Sequence, residues 1–129
     1  MLDTNIVSDL IENPAGTVAP NIRRVGAVGL EASGIVAAEL RFSGLERGSP
    51  ALMRKAEGVL SKMIVAPFET PAVLLYAEIR LALKRQGLPM GPNDLLIAAH
   101  ARAMSATLAT RNVMEFRRVS GLVIKNWLK

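Results

Sequence analysis

Residues 1–10, MLDTNIVSDL, decide how the rest of the chain is read. Leu2 is apolar, Asp3, Thr4 and Asn5 are polar, and the apolar residues Ile6, Val7, Leu10 and Ile11 then recur with the spacing of one helix face. A very short strand passing straight into a helix is expected, with Asp3 at the junction. Two accounts of that carboxylate stand side by side. As an N-cap it would accept hydrogen bonds from the free N–H groups of the first helical turn. As a site residue it would lie where open α/β sheets carry their chemistry, in the crevice beyond the carboxyl ends of the strands. The positions of the other acids decide between them.

Half of the 129 residues are hydrophobic and none is Cys. A chain of this size can bury a core of its own, so one domain over residues 1–129 is expected, without disulfide or metal staples. The lack of Cys excludes thiol catalysis and cysteine metal sites and suits a reducing compartment. No apolar run approaches the ~20 residues of a membrane span, and no basic segment followed by an apolar one opens the chain as in a secretion signal. A soluble, cytoplasmic protein without membrane contact is expected. Sixteen Lys or Arg against eleven Asp or Glu give a net charge of +5, which favours a polyanionic partner, nucleic acid first. The basic residues fall in small groups: Arg23-Arg24, Lys84-Arg85, Arg117-Arg118, Lys125 and Lys129. At 4% aromatic residues, a base-stacking platform is disfavoured.

Helices are expected over NIVSDLIEN (5–13, closed by Asn13-Pro14), TVAPNIRRVG (17–26), GIVAAELRFSGLERG (34–48, ended by Gly44 or Gly48), and SPALMRKAEGVLSKM (49–63, with Ser49 as cap and Pro50 at the first position). Further helices are expected over ETPAVLLYAEIRLALKRQG (69–87, stopped by Gly87) and LLIAAHARAM (95–104), and a short one within RNVMEFRRVSG (111–121). Short strands are expected at AVGLEAS (27–33), IVAPF (64–68), ATLAT (106–110) and LVIKNW (122–127), with LPMGPND (88–94) as a loop. Apolar strands alternating with helices call for a parallel sheet covered on both faces, the α/β class.

This layout brings four acids from distant segments to one rim: Asp3 after the first strand, Glu39 early in the helix after AVGLEAS, Asp94 after Gly91-Pro92-Asn93, and Glu115 shortly after ATLAT. Asp9, Glu12, Glu46, Glu57, Glu69 and Glu78 are expected as solvated residues of helix faces or ends. Each rim acid has a plainer account, Asp3 and Asp94 as caps, Glu39 and Glu115 as surface residues. Clustered carboxylates, without Cys and with only His100, suit a hard divalent cation, Mg²⁺ or Mn²⁺, rather than zinc. Such ions usually act on phosphate esters. His100 is expected on another face of the Asp94 helix in a structural role.

These residues resemble those of the PIN domain ribonucleases, in particular the VapC toxins of bacterial toxin–antitoxin pairs, over essentially the whole chain. LDTN (2–5) is similar to the opening motif of that family, ASGIVAAEL (32–40) to the segment whose Ser precedes the second acid, GPNDLLIAAHA (91–101) to the segment of the third, and LATRNVMEFRRVSGLVIKNW (108–127) to the closing segment. The resemblance implies a three-layer α/β/α fold with a mostly parallel sheet in the order 3-2-1-4-5. It also implies Mg²⁺- or Mn²⁺-dependent, single-strand-preferring endoribonuclease activity, homodimers, and a small cognate antitoxin. Asp3, Glu39 and Asp94 would hold the metal, with Glu115 assisting directly or through water. Thr4, Asn5, Ser33 and Asn112 would orient carboxylates or substrate, and Arg111 would contact phosphate or simply face solvent. Two departures stand out. Relatives commonly carry an acid where Asn112 stands here, leaving Glu115 as the nearest, and they usually have one or two more residues before LDTN, so a longer natural N-terminus is an open alternative.

Two rivals come from other classes. A phosphoacceptor domain of receiver type also gathers acids beyond parallel strands, but it expects an acid pair after the first strand and a Lys after the last, where only Lys125 is at hand. A non-catalytic module that binds RNA or antitoxin would bind without cleaving.

Overall fold

The structure is a computed structural model that describes residues 1–26 and 29–128. Ala27 and Val28, which open the expected strand AVGLEAS, and Lys129 lie outside the described residues. The helices are α1 (Thr4–Glu12), α2 (Val18–Val25), α3 (Gly34–Glu46), α4 (Pro50–Leu60), α5 (Thr70–Arg85), α6 (Pro92–Ala103) and α7 (Val113–Phe116). The strands are β1 (Glu31–Ser33), β2 (Ile64–Ala66), β3 (Leu108–Ala109) and β4 (Ile124–Lys125).

β1 pairs in parallel with β2, Ala32 opposite Val65, and β3 with β4, Leu108 opposite Ile124. Leu2 joins the two pairs through parallel bridges to Ala32 and to Ala109. Its N–H donates to the Glu31 carbonyl at 2.9 Å, that of Asp3 to the Ala109 carbonyl at 2.9 Å, and that of Ala109 to the Met1 carbonyl at 2.8 Å. Across the sheet the segments therefore run β2, β1, Leu2, β3, β4. The expected first strand is a single bridged residue, which suffices because Leu2, Ala32, Leu108 and Ala109 are all buried and their backbone groups have no water to turn to.

The helices bring Ile6, Val7, Val18, Val36, Ile97 and Phe116 to the core. Helix α3 packs on α1, α4 and α6, and α6 pairs most extensively with α5. The α/β class is as expected. The strands ATLAT and LVIKNW shorten to two residues each, and IVAPF ends at Ala66 because Pro67 has no N–H for the ladder. Helix α6 starts earlier than expected, at Pro92, whose fixed φ suits a first helical position, so Asp94 lies in the first turn and not in the preceding loop.

Helix α3 runs through Gly44 and stops at Gly48, whose φ of 58° is the left-handed turn that ends a helix. Gly44 is buried because α4 crosses there: a Cβ on it would stand 2.7 Å from Met53 Cγ. Gly58, inside α4, would meet nothing within 4 Å. The two glycines should answer substitution with opposite signs. Gly58→Ala should stabilise the protein by about 0.5–1 kcal/mol through helix propensity, and Gly44→Val should cost about 1–3 kcal/mol by overpacking, both read from thermal melts.

Candidate active site

Asp3 is 2% exposed at the N-terminus of α1 and serves as its cap: Oδ1 accepts from the Thr4 N–H at 2.8 Å. Its other oxygen, Oδ2, accepts from Thr110 Oγ1 at 2.7 Å and Asn5 Nδ2 at 3.2 Å. One carboxylate thus caps a helix and ties it to the residue after β3. The capping and site accounts are not alternatives at this position.

The next residues continue the network. Thr4 Oγ1 donates to Glu39 Oε1 at 2.8 Å, linking α1 to the second turn of α3. Asn5 Oδ1 accepts from the Arg111 N–H at 3.1 Å, and Thr110 Oγ1 accepts from the Asn112 N–H at 3.0 Å, which sets the turn after β3. Asp3, Thr4, Asn5, Glu39, Asp94, Arg111 and Asn112 line one cavity of about 400 Å³. The expected residues Asp3, Glu39 and Asp94 therefore come together. Asp94 is not a cap, since Gly91 holds that position. Glu115 is half-buried just outside the cavity lining, where Oε1 accepts from the Gly91 N–H at 3.1 Å and the side chain is hydrogen-bonded to Asp94. It is more than a free surface acid. Asp9 and Glu12, expected on a solvated face, also line this cavity.

Ser33 lies elsewhere. It is fully buried, caps α3 by accepting from the Ile35 N–H at 3.1 Å, and stands 2.7 Å from His100 Nδ1. His100 is buried with it. Lys125, which the receiver-type rival required at the acidic rim, lines a different cavity with Arg24, Glu31 and Trp127.

Thr110 was absent from the expected site although it binds Asp3 more closely than any other side chain does. Its signal was positional: a hydroxyl ends the strand ATLAT, which the expected order 3-2-1-4-5 would set beside that of Asp3, as the Leu2–Ala109 bridge does. Gly91 has no such signal, because its part is a backbone N–H offered to Glu115.

Like charges dominate the electrostatics. Burial raises the pKa of Asp94 first, followed by the charges of Asp3 and Glu115, the hydrogen bond to Glu115 and the charge of Glu39; together they push it up to about 7. Asp3 is also raised, mainly by burial, with the bonds from Thr110 and Thr4 opposing and the Glu39 and Glu115 charges adding. Among the described residues the one ion pair is Arg41 with Glu57, away from these acids. The donor set is all oxygen, mutually repelling and unpaired with a cation, which in kind fits a hard divalent ion. As placed, no three His, Cys, Asp or Glu side chains among the described residues are grouped to hold an ion. Glu39 is turned to Thr4 and Glu115 to Gly91, so both would rotate inward to ligate.

The PIN domain family model matches residues 1–122. The chain belongs to the PIN domain family. This PIN domain protein is 36% identical to ribonuclease VapC2 of Rickettsia felis over 131 residues, covering 100% of this chain and 98% of that one. It is 33% identical to the tRNA(fMet)-specific endonuclease VapC of Shigella flexneri, covering 98% and 96%. Its fold matches the crystal structure of VapBC2 from Rickettsia felis bound to a DNA fragment from their promoter with a TM-score of 0.91 and 35% identity, over 98% of this chain and 97% of that one.

A raised carboxylate pKa has a definite pH consequence. The folded PIN domain holds a proton on Asp94 to about pH 7, whereas the unfolded chain releases it near pH ~4, so the metal-free protein is more protonated when folded within that window. Its stability is fully present below the window and is lost as pH rises through it. Allowing for solvent screening of a half-exposed group, the loss is about 1 kcal/mol, a few degrees of melting temperature. In EDTA, Asp94→Asn should lack this component and should melt above wild type at pH 7.5 by about that margin.

Proposed function

We propose that this protein is a metal-dependent endoribonuclease that acts as the toxin of a toxin–antitoxin pair, and that residues 1–129 form one PIN domain. The observation that carries the proposal is the buried Asp3 carboxylate, joined through Thr4 to Glu39 and set beside Asp94 in one cavity. The names of the ribonuclease relatives support the reaction class, and the net charge of +5 suits an RNA substrate.

In this proposal Asp3, Glu39 and Asp94 hold Mg²⁺ or Mn²⁺, with Glu115 assisting. A divalent cation there supplies Lewis acidity for phosphodiester hydrolysis. The chain's own residues prepare the site. Thr110, Thr4 and Asn5 fix the Asp3 carboxylate, so that it need not reorganise when charge is placed before it. Thr4 holds Glu39 on the same side of the cavity. Asn5 and Thr110 set the backbone of Arg111 and Asn112, which places a guanidinium at the cavity for a phosphate of single-stranded RNA. In the metal-free state Asp94 keeps a proton and shares a hydrogen bond with Glu115, which limits the repulsion.

A cognate antitoxin and a second copy of the chain are its proposed partners; the match to the VapBC2 structure supports the first. Phe42 and Leu45 of α3 and Met53 of α4 are exposed apolar residues that a partner would cover. A basic side chain of the antitoxin would neutralise the acids. No helix among the described residues is long and apolar enough to cross a membrane.

Cleavage of a single-stranded RNA in Mg²⁺ or Mn²⁺ tests the proposal. Asp3→Asn and Asp94→Asn should each lower the rate by about 10²-fold or more, with the fold retained by circular dichroism, and EDTA should stop wild type. Glu115→Gln should cost less, about tenfold, and adding Asn112→Asp to it should recover part of the loss. A near-wild-type rate in either Asp variant removes that residue from the site.

A further inference from the structure

His100 is the buried titratable group that the acidic cavity leaves unexplained. It lies on α6, the helix of Asp94, at 2% exposure. Nδ1 stands 2.7 Å from Ser33 Oγ, a hydrogen bond whose donor is set by the tautomer of the ring. The same Ser33 oxygen accepts from the Ile35 N–H at 3.1 Å and caps α3. Phe68 meets the ring edge-on, with centroids 5.4 Å apart and planes at 79°. Glu31 of β1 and Glu69 at the start of α5 are the charges acting on the ring; burial outweighs both and lowers its pKa.

We propose that His100 is a positioning residue for the acidic site: by hydrogen-bonding the Ser33 hydroxyl it fixes the N-terminus of α3, which carries Glu39, against α6, which carries Asp94. This rests on the functional reading above, in that Glu39 and Asp94 serve one site. A Ser cap alone leaves its hydroxyl free to turn between rotamers. Bonded to a buried ring that is packed on Phe68, the Ser33 oxygen has one orientation, and the first turn of α3 one placement. Glu39 lies in the second turn of that rigid helix, so its reach into the cavity follows from the cap.

Two isosteric substitutions separate this role from simple core filling. Asn sets its amide where Nδ1 stands and keeps the Ser33 bond; Gln sets its amide near Nε2 and loses that bond. Both lose the ring and should destabilise alike. The measurement is amide hydrogen exchange at Ile35 in the metal-free proteins, together with the rise in melting temperature produced by Mn²⁺. His100→Gln should exchange at Ile35 about tenfold faster than His100→Asn, the equivalent of about one net hydrogen bond. It should also lose most of the Mn²⁺-induced rise, which His100→Asn should largely keep. Equal exchange in the two variants overturns the proposal. If wild type itself shows no rise with Mn²⁺, the metal-dependent function fails instead, and Ile35 exchange still decides the positioning role.

Discussion

The carboxylate of Asp3 is the constraint on which the molecule depends. Its backbone N–H closes the sheet against Ala109, one oxygen starts α1, and the other holds the hydroxyl of Thr110. Removing water from a carboxylate is costly unless hydrogen bonds replace the lost hydration. Three donors do so here, from Thr4, Thr110 and Asn5. Those donors belong to the residues that set the next shell of contacts, namely Glu39 through Thr4, and the Arg111–Asn112 turn through Asn5 and Thr110. Central sheet, first helix and cavity share a single residue.

The arrangement stabilises position at the expense of charge. Asp3, Glu39 and Asp94 are held near one another without a Lys or Arg ion pair among the described residues, and Asp94 answers by retaining its proton to about pH 7. A site built for stability alone would have paired or dispersed these acids. Perturbed carboxylates in a cavity are instead the mark of a place where a cation or a reacting group enters. Glu39 and Glu115 are turned to local donors in the metal-free arrangement, which keeps the repulsion tolerable.

Much of this was legible in the sequence because it follows from short-range rules. The polar triplet after Leu2, the Ser-Pro start of α4 and the Gly87 stop of α5 are local signals, and each element forms where its signal stands. The rim of strand ends then brought Asp3, Glu39 and Asp94 together from segments far apart in the chain. What escaped the sequence depends on contacts between segments. Gly44 looked like a helix stop and is a packing site, because only α4 supplies Met53. Ser33 looked like a partner for an acid and is one for His100, since the register of α6 against β1 is invisible in the order of residues. Thr110 and the Gly91 N–H act through bonds that no periodicity announces. The strands near the C-terminus are shorter than their apolar runs, because a parallel ladder extends only as far as its neighbour does.

The central claim is that Asp3 serves a cation as well as a helix, and a pair of melting curves tests it most directly. Binding to the folded state alone stabilises by RT ln(1 + [L]/Kd), about 2.7 kcal/mol at a hundredfold excess over Kd. Wild type and Asp3→Asn are each melted in EDTA and in millimolar Mn²⁺. Wild type should gain several degrees from the metal, and Asp3→Asn, which still caps α1, should gain little. Equal gains in the two proteins would contradict the claim and leave Asp3 a helix cap alone.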